Sequence, residues 1–168
     1  MAELHVQERL QPSLLDRLTD HAPGELRESD DKKVLTKQAL RQAVLRDLGW
    51  LLNATGHGPP LDGVQFPQAT RSVLNYGLPT MSGQFASSLQ RASMEQALRQ
   101  AILNFEPRIL AHTLEVEVVL ESYAMDAHNR VGLEIRGMLW AQPVPLEFLL
   151  RSGIDLEEGR FTMEDVAR

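Results

Sequence analysis

Asn104-Phe105-Glu106-Pro107-Arg108-Ile109 is the stretch on which the fold turns. Before it, Met94, Ala97, Leu98, Ala101, Ile102 and Phe105 recur at the spacing of one helical face. Ser93 and Gln96 stand at capping-box spacing, which sets the expected start of that helix at Ser93. After it, Leu114, Val116, Val118 and Leu120 alternate with Glu115, Glu117, Val119 and Glu121, the period of a half-solvated antiparallel strand. Pro107 has no N–H to donate and stops the helix. The chain therefore changes from helix to sheet within a few residues, with an acid and a base flanking the corner.

Outward from this switch, the downstream half reads as strands. Val131, Leu133 and Ile135 alternate with Gly132, Glu134 and Arg136 after a hairpin loop at Met125–Asn129. Gly137 and Met138-Leu139-Trp140 break that phase and suggest a bulge or burial on both sides. Val144, Leu146, Phe148 and Leu150 form a third strand. Pro143 and Pro145 assign that strand, or its beginning, to a sheet edge, since proline cannot join a ladder. A turn at Glu158-Gly159 precedes a short strand at Phe161–Met163.

The upstream half reads as helices. Leu40, Val44, Leu48, Leu51 and Leu52 follow the pattern of a buried face, with Lys37, Arg41 and Asp47 largely off it. Thr55-Gly56 and Gly58-Pro59-Pro60 end that helix, and 56–66 is a loop. A helical turn at Ala69–Asn75 closes at Gly77, suited to a left-handed cap. Leu10, Leu14, Leu15 and Leu18 make a short apolar stripe, either packed on the core or offered to a partner's groove. Polar residues around Pro23-Gly24 then form a linker. Helices first and strands afterwards give an α+β domain, its N-terminal helices packed on a small, mainly antiparallel β-sheet formed by the C-terminal half. Residues 1–31 are expected to be an arm and 32–168 a single domain.

The 168 residues carry a net charge of −6 that is unevenly spread. Residues 1–31 hold eight acids and three bases, 32–113 nine bases and four acids, and 114–168 eleven acids and five bases. This alternation suits contact with several partners of different charge. The basic middle lacks the aromatics and dense cation cluster of a nucleic-acid surface. No signal peptide or membrane-length apolar run is visible, and the absence of cysteine excludes thiol chemistry; a cytoplasmic setting is the expectation.

Chemistry is sparse. The five histidines, His5, His21, His57, His112 and His128, are scattered without ligand spacing, so no metal is expected, and no phosphate loop or nucleophile elbow points to a cofactor or small-molecule substrate. Glu106 could pair with Asp126 or Glu121 as a hydrolase's carboxylates, but such an acid needs an apolar pocket and Arg108 is two residues away. Recognition is the other use: arginine's fork grips a carboxylate and Pro107 fixes the turn beforehand. The plainest reading is a helix-end ion pair worth ~0–1 kcal/mol.

Four stretches in order carry a resemblance. Ser13-Leu14-Leu15-Asp16-Arg17-Leu18, Asp47-Leu48-Gly49-Trp50-Leu51-Leu52-Asn53, Val73-Leu74-Asn75-Tyr76-Gly77-Leu78-Pro79 and Phe105-Glu106-Pro107-Arg108 resemble the phage baseplate wedge proteins and their type VI secretion relatives, the TssE-like subunits. The leucine motif is similar to the secretion branch. Gly49, where an acid is common, and Ala54-Thr55-Gly56-His57, where a base often follows, depart from the pattern. The resemblance implies a non-enzymatic component of a contractile machine at the cytoplasmic face of the inner membrane, with no direct membrane insertion. Its partners would be baseplate wedge subunits and contractile sheath proteins. Glu106, Pro107 and Arg108 would anchor to the wedge, joined by Leu14, Leu15, Asp16, Arg17, Leu18, Asn75, Tyr76 and Gly77 as contacts. The strand beginning near Val144, or the one after Arg130, would accept a sheath strand. A peptidoglycan hydrolase, following the family's lysozyme-like label, and a stand-alone adaptor binding a response regulator are the alternatives.

Overall fold

Two long helices earn their place by the apolar faces read above. In the computed structural model, which describes residues 12–20, 23–24, 35–56, 64–79, 88–120, 130–141, 144–155 and 160–165, α2 runs Lys37–Asn53 and α4 runs Ser88–Phe105. Short helices α1 (Leu14–Leu18) and α3 (Pro67–Thr70) precede each of them. Thr36 caps α2, its hydroxyl accepting from Ala39 N–H at 3.1 Å. The helix carrying Met94 starts at Ser88, five residues before the expected Ser93 cap; Ser93 sits on an exposed helical face, where serine is tolerated.

Strands β1 (Glu115–Leu120), β2 (Arg130–Leu139), β3 (Leu146–Asp155) and β4 (Arg160–Asp165) form one antiparallel sheet in the order β1-β2-β3-β4. The α+β architecture is as read from the sequence, and the tail strand is present and longer than expected. Two expectations change. The strands after Arg130 and near Val144 are β2 and β3, the two inner strands; the edges are β1 and β4. The beginning of β3 keeps part of its expected edge character, because β4 pairs only with Leu150–Asp155 and leaves Leu146–Leu149 paired to β2 alone. The suspected bulge is absent: β2 pairs in unbroken register from Arg130↔Asp155 to Leu139↔Leu146. Gly137 is buried within that register, where a Cβ would make ordinary van der Waals contact with Ile109 Cγ2 at 3.4 Å and with Thr113 at 3.6 Å. The hairpin loop at 125–129, the turn at Glu158-Gly159, Pro143, most of the linker, and His5, His21, His57 and His128 lie outside the described residues.

The core lies between the helices and one sheet face. Val44, Leu48, Leu51 and Leu52 from α2 and Leu98 and Ile102 from α4 meet Val118, Leu133, Ile135, Leu139, Phe148 and Leu150. The other face is uncovered among the described residues and carries Glu115, Glu117, Arg136, Glu147 and Arg151, with Glu134 bridging Arg136 and Arg151.

Side chains from the helices reach both sheet edges. Asn53 at the end of α2 accepts from Phe161 N–H at 3.0 Å and donates to its carbonyl at 3.2 Å, and Glu95 of α4 accepts from Val118 N–H at 3.0 Å. The turn before α4 is tied back to α2: Leu78 N–H donates to Ala54 O at 2.9 Å and Gly56 N–H to Leu78 O at 2.8 Å. Gly77, at φ 115°, makes this possible, because a Cβ would stand 2.4 Å from Ala54 O.

Candidate functional site

Helix α4 ends with Glu106 N–H still donating to Ile102 O at 2.8 Å; Pro107 then turns the chain. The exit is fixed to the sheet by Trp140 N–H donating to Arg108 O at 2.7 Å and by a bridge between Ile109 and Leu139. The corner is thus held by backbone bonds to two elements before any side chain acts.

Its side chains form a continuous ionic chain. Arg108 donates from Nε to Glu106 Oε1 at 2.6 Å and from Nη2 to Glu106 Oε2 at 2.5 Å, the forked geometry in which guanidinium binds carboxylate best. The same Nη2 donates to Asp47 Oδ2 at 2.5 Å. Asp47 Oδ1 accepts from Arg46 Nε at 2.8 Å, and Arg46 Nη1 reaches Asp16 Oδ1 at 2.5 Å. Asp16 therefore connects through Arg46, Asp47 and Arg108 to Glu106, joining α1, α2 and the corner, with three acids against two bases.

Burial decides the roles. The Glu106 side chain is 3% exposed and that of Arg108 22%. Glu106 has no open face for a partner; it holds Arg108, whose outer edge and the exposed Pro107 are what the corner presents. Burial pulls the Arg108 pKa down, but hydrogen bonds and charge from Glu106, then Asp47, outweigh it and raise it. The hydrogen bond from Arg46 lowers the Asp16 pKa against a smaller effect of burial, and the reciprocal bond raises Arg46.

Beside this chain lies a cavity of about 240 Å³, lined by Leu15, Trp50, Leu51, Tyr76, Phe105 and Pro107 together with Asp47, Glu106 and Arg108. Tyr76 meets Phe105 edge-on at 5.3 Å, and burial, then the charges of Asp47 and Glu106, push its phenol up. Arg46 lies 5.0 Å over the half-exposed Trp50. A shallower hollow of about 390 Å³ on the uncovered sheet face is bounded by Arg136, Met138, Glu147 and Leu149.

The four motifs meet at this place only in part. Leu15, Tyr76, Glu106, Pro107 and Arg108 line one cavity, and Asp16 joins through Arg46. Leu14, Arg17 and Leu18 point to solvent; α1 has no buried residue, so its leucines do not join the core. Asn75 donates to Thr70 O at 3.2 Å and Gly77 shapes the turn, so both support Tyr76. Arg46, Asp47 and Trp50 were not singled out from sequence as site residues. Their signal was a tryptophan and a paired charge on the side of α2 away from the leucines. Glu121 and Asp126, considered as partners for Glu106, lie outside the described residues. Asp47 is the carboxylate that does come near, and the Arg108 guanidinium is bonded to both. No group of three His, Asp or Glu able to hold a metal exists among the described residues.

Fold and site together define an α+β domain with a backbone-braced ionic corner beside a hollow of mixed apolar and charged lining. The chain belongs to the family of the baseplate wedge protein gp25, whose family model matches residues 38–144. This span includes α2, the turn at Gly77, α4, the corner and β1–β2. A comparison with characterised proteins over whole sequences found no match.

Proposed function

We infer that the protein is a structural subunit of a type VI secretion baseplate, TssE-like, which docks on wedge subunits through its corner and templates the first ring of the contractile sheath. The observation carrying this reading is the corner itself: Arg46, Asp47, Glu106 and Arg108 inside the matched span, joined by Asp16 outside it, are neutralised almost entirely among themselves beside a hollow lined by Trp50, Tyr76 and Pro107 and by Leu15. A neutralised, backbone-braced wall can dock against another protein without stripping water from an unpaired acid. Leu14 and Leu18, 72% and 74% exposed, flank it as further apolar contact. Such a subunit works at the cytoplasmic face of the inner membrane; no described helix is long and apolar enough to cross a membrane.

The hydrolase alternative loses ground on geometry. Glu106 and Asp47 both spend oxygens on the same Arg108 nitrogen, so a guanidinium occupies the space where a scissile bond would have to sit. Co-expression with wedge and sheath subunits tests the assembly role. Wild-type protein is expected to co-purify with the wedge, and Pro107→Glu, which removes no member of the ionic chain but places a charge on the presented surface, to be lost from it while far-ultraviolet circular dichroism shows the fold retained. Retention of that variant at wild-type level refutes corner docking, and turnover of purified peptidoglycan by the isolated protein refutes the non-enzymatic reading.

A further inference from the structure

The register divides the uncovered sheet face into three zones, because opposed residues on neighbouring strands stand side by side. At one end Met138 lies opposite Glu147, and Arg136 lies between Glu115 and Leu149; these residues bound the hollow of about 390 Å³. In the middle Glu117, Glu134 and Arg151 form one row. At the other end Val119, Gly132 and Gly153 form another, where the paired glycines place no side chain on the face.

This differs from the evenly polar face that an antiparallel sheet can turn to water. Val119 is exposed, and half-buried Met138 and Leu149 give the hollow an apolar lining. The charges are also unbalanced. Glu134 takes both Arg136 and Arg151, so among the described residues Glu115, Glu117 and Glu147 are exposed acids without a bonded cation. The corner neutralises itself, whereas this face is complementary only to positive charge brought from outside. The helical layer across the core carries the opposite excess, with Lys37, Arg91 and Arg99 exposed.

We propose that the uncovered sheet face docks a basic amphipathic helix of a partner protein, with a long cationic side chain seated in the hollow between Glu115 and Glu147 and small residues lying over Gly132 and Gly153. The occupant is a helix because a sheet face, unlike an edge, offers no ladder donors or acceptors, so backbone lying on it has to bond within itself. The cation is long because its methylenes pack on Met138 and Leu149 while its head reaches the carboxylates. From Gly132 to Met138 the strand spans about 20 Å, which a helix covers in about 13 residues. The proposal rests on the baseplate reading only in taking the helix to come from a partner.

The test uses the full chain, isotope-labelled, and an alanine-based helical peptide of about 16 residues with lysines along one end of one face. A control peptide carries glutamates in their place. The lysine peptide is expected to shift the amide signals of Gly132, Met138, Leu149 and Gly153, and the glutamate peptide to leave them in place. Glu115→Lys with Glu147→Lys, at two exposed positions outside the core, is expected to keep the dispersed amide spectrum of the fold and to bind the lysine peptide about tenfold more weakly. Equal binding by that double variant and wild type, equal binding of the two peptides, or no shift at the four amides overturns the docking surface. Concentration-dependent dimers of the wild type in sedimentation, abolished by the double variant, make a second copy presenting Arg91 and Arg99 the occupant and overturn the partner helix. Pro107→Glu is expected to bind the lysine peptide as wild type does, so the corner's role in the baseplate and this surface fail by different results.

Discussion

Arg108 divides one Nη2 between two carboxylates, and this makes it the side chain whose removal costs most at the corner. Arg108→Ala would leave Glu106 buried without its cation, and stability is expected to fall by about 3 kcal/mol, measured by urea unfolding. Replacing both members, Glu106→Gln with Arg108→Met, is expected to recover much of that loss, because the penalty lies in the orphaned charge. Asp16 answers to pH. Arg46 holds its carboxyl below the ordinary 3.8, so its contribution is present above that value and is lost as pH falls through the depressed one. The loss is expected to be about 1 kcal/mol for a part-buried pair at the surface, visible as a change in Trp50 fluorescence because Arg46 lies over that ring. Asp16→Asn should remove this acid transition. Sequence alone pairs Glu106 with Arg108, two residues away, but hides Asp47, 61 residues from Arg108; only the packing of α2 beside the corner brings them together.

Elements were legible wherever one face is apolar. α2 and the strand alternations could be read because burial imposes periods of 3.6 and 2 on the sequence. The order of strands could not, because each strand carries the same inward pattern whatever its neighbours. Prolines near Val144 suggested an edge, yet β3 is internal beyond Leu149, and only its first residues lack a second neighbour. The start of α4 was misread for a related reason: Ser93 is compatible with a cap and with an exposed helical site, and the helix continuing on its N-terminal side decides. Two substitutions belong at this scale. Gly77→Ala places a methyl against Ala54 O and imposes a disfavoured φ, and is expected to cost about 1–3 kcal/mol in thermal unfolding. Asn53→Ala removes both bonds to Phe161, and is expected to speed amide exchange at Phe161 on β4 while β2 keeps its protection.

For the whole molecule, the helical layer and the sheet share one core, while α1 contributes no buried residue to it. Deleting residues 1–31 is therefore expected to leave a cooperatively folding domain with its melting temperature lowered by only a few degrees, since a part-buried ion pair is the main described tie. A loss of cooperative unfolding on that deletion would show the arm to be part of the domain. β2 is paired along its whole length to β3, and the segment leaving it at Trp140 is bonded to the Arg108 carbonyl. A tensile load entering through the sheet along its strands would be carried lengthwise, with many rungs sheared together instead of peeled one after another, and would arrive at the corner through a short, stiff backbone path. The same bonds that brace a static shape would thus serve as a tendon.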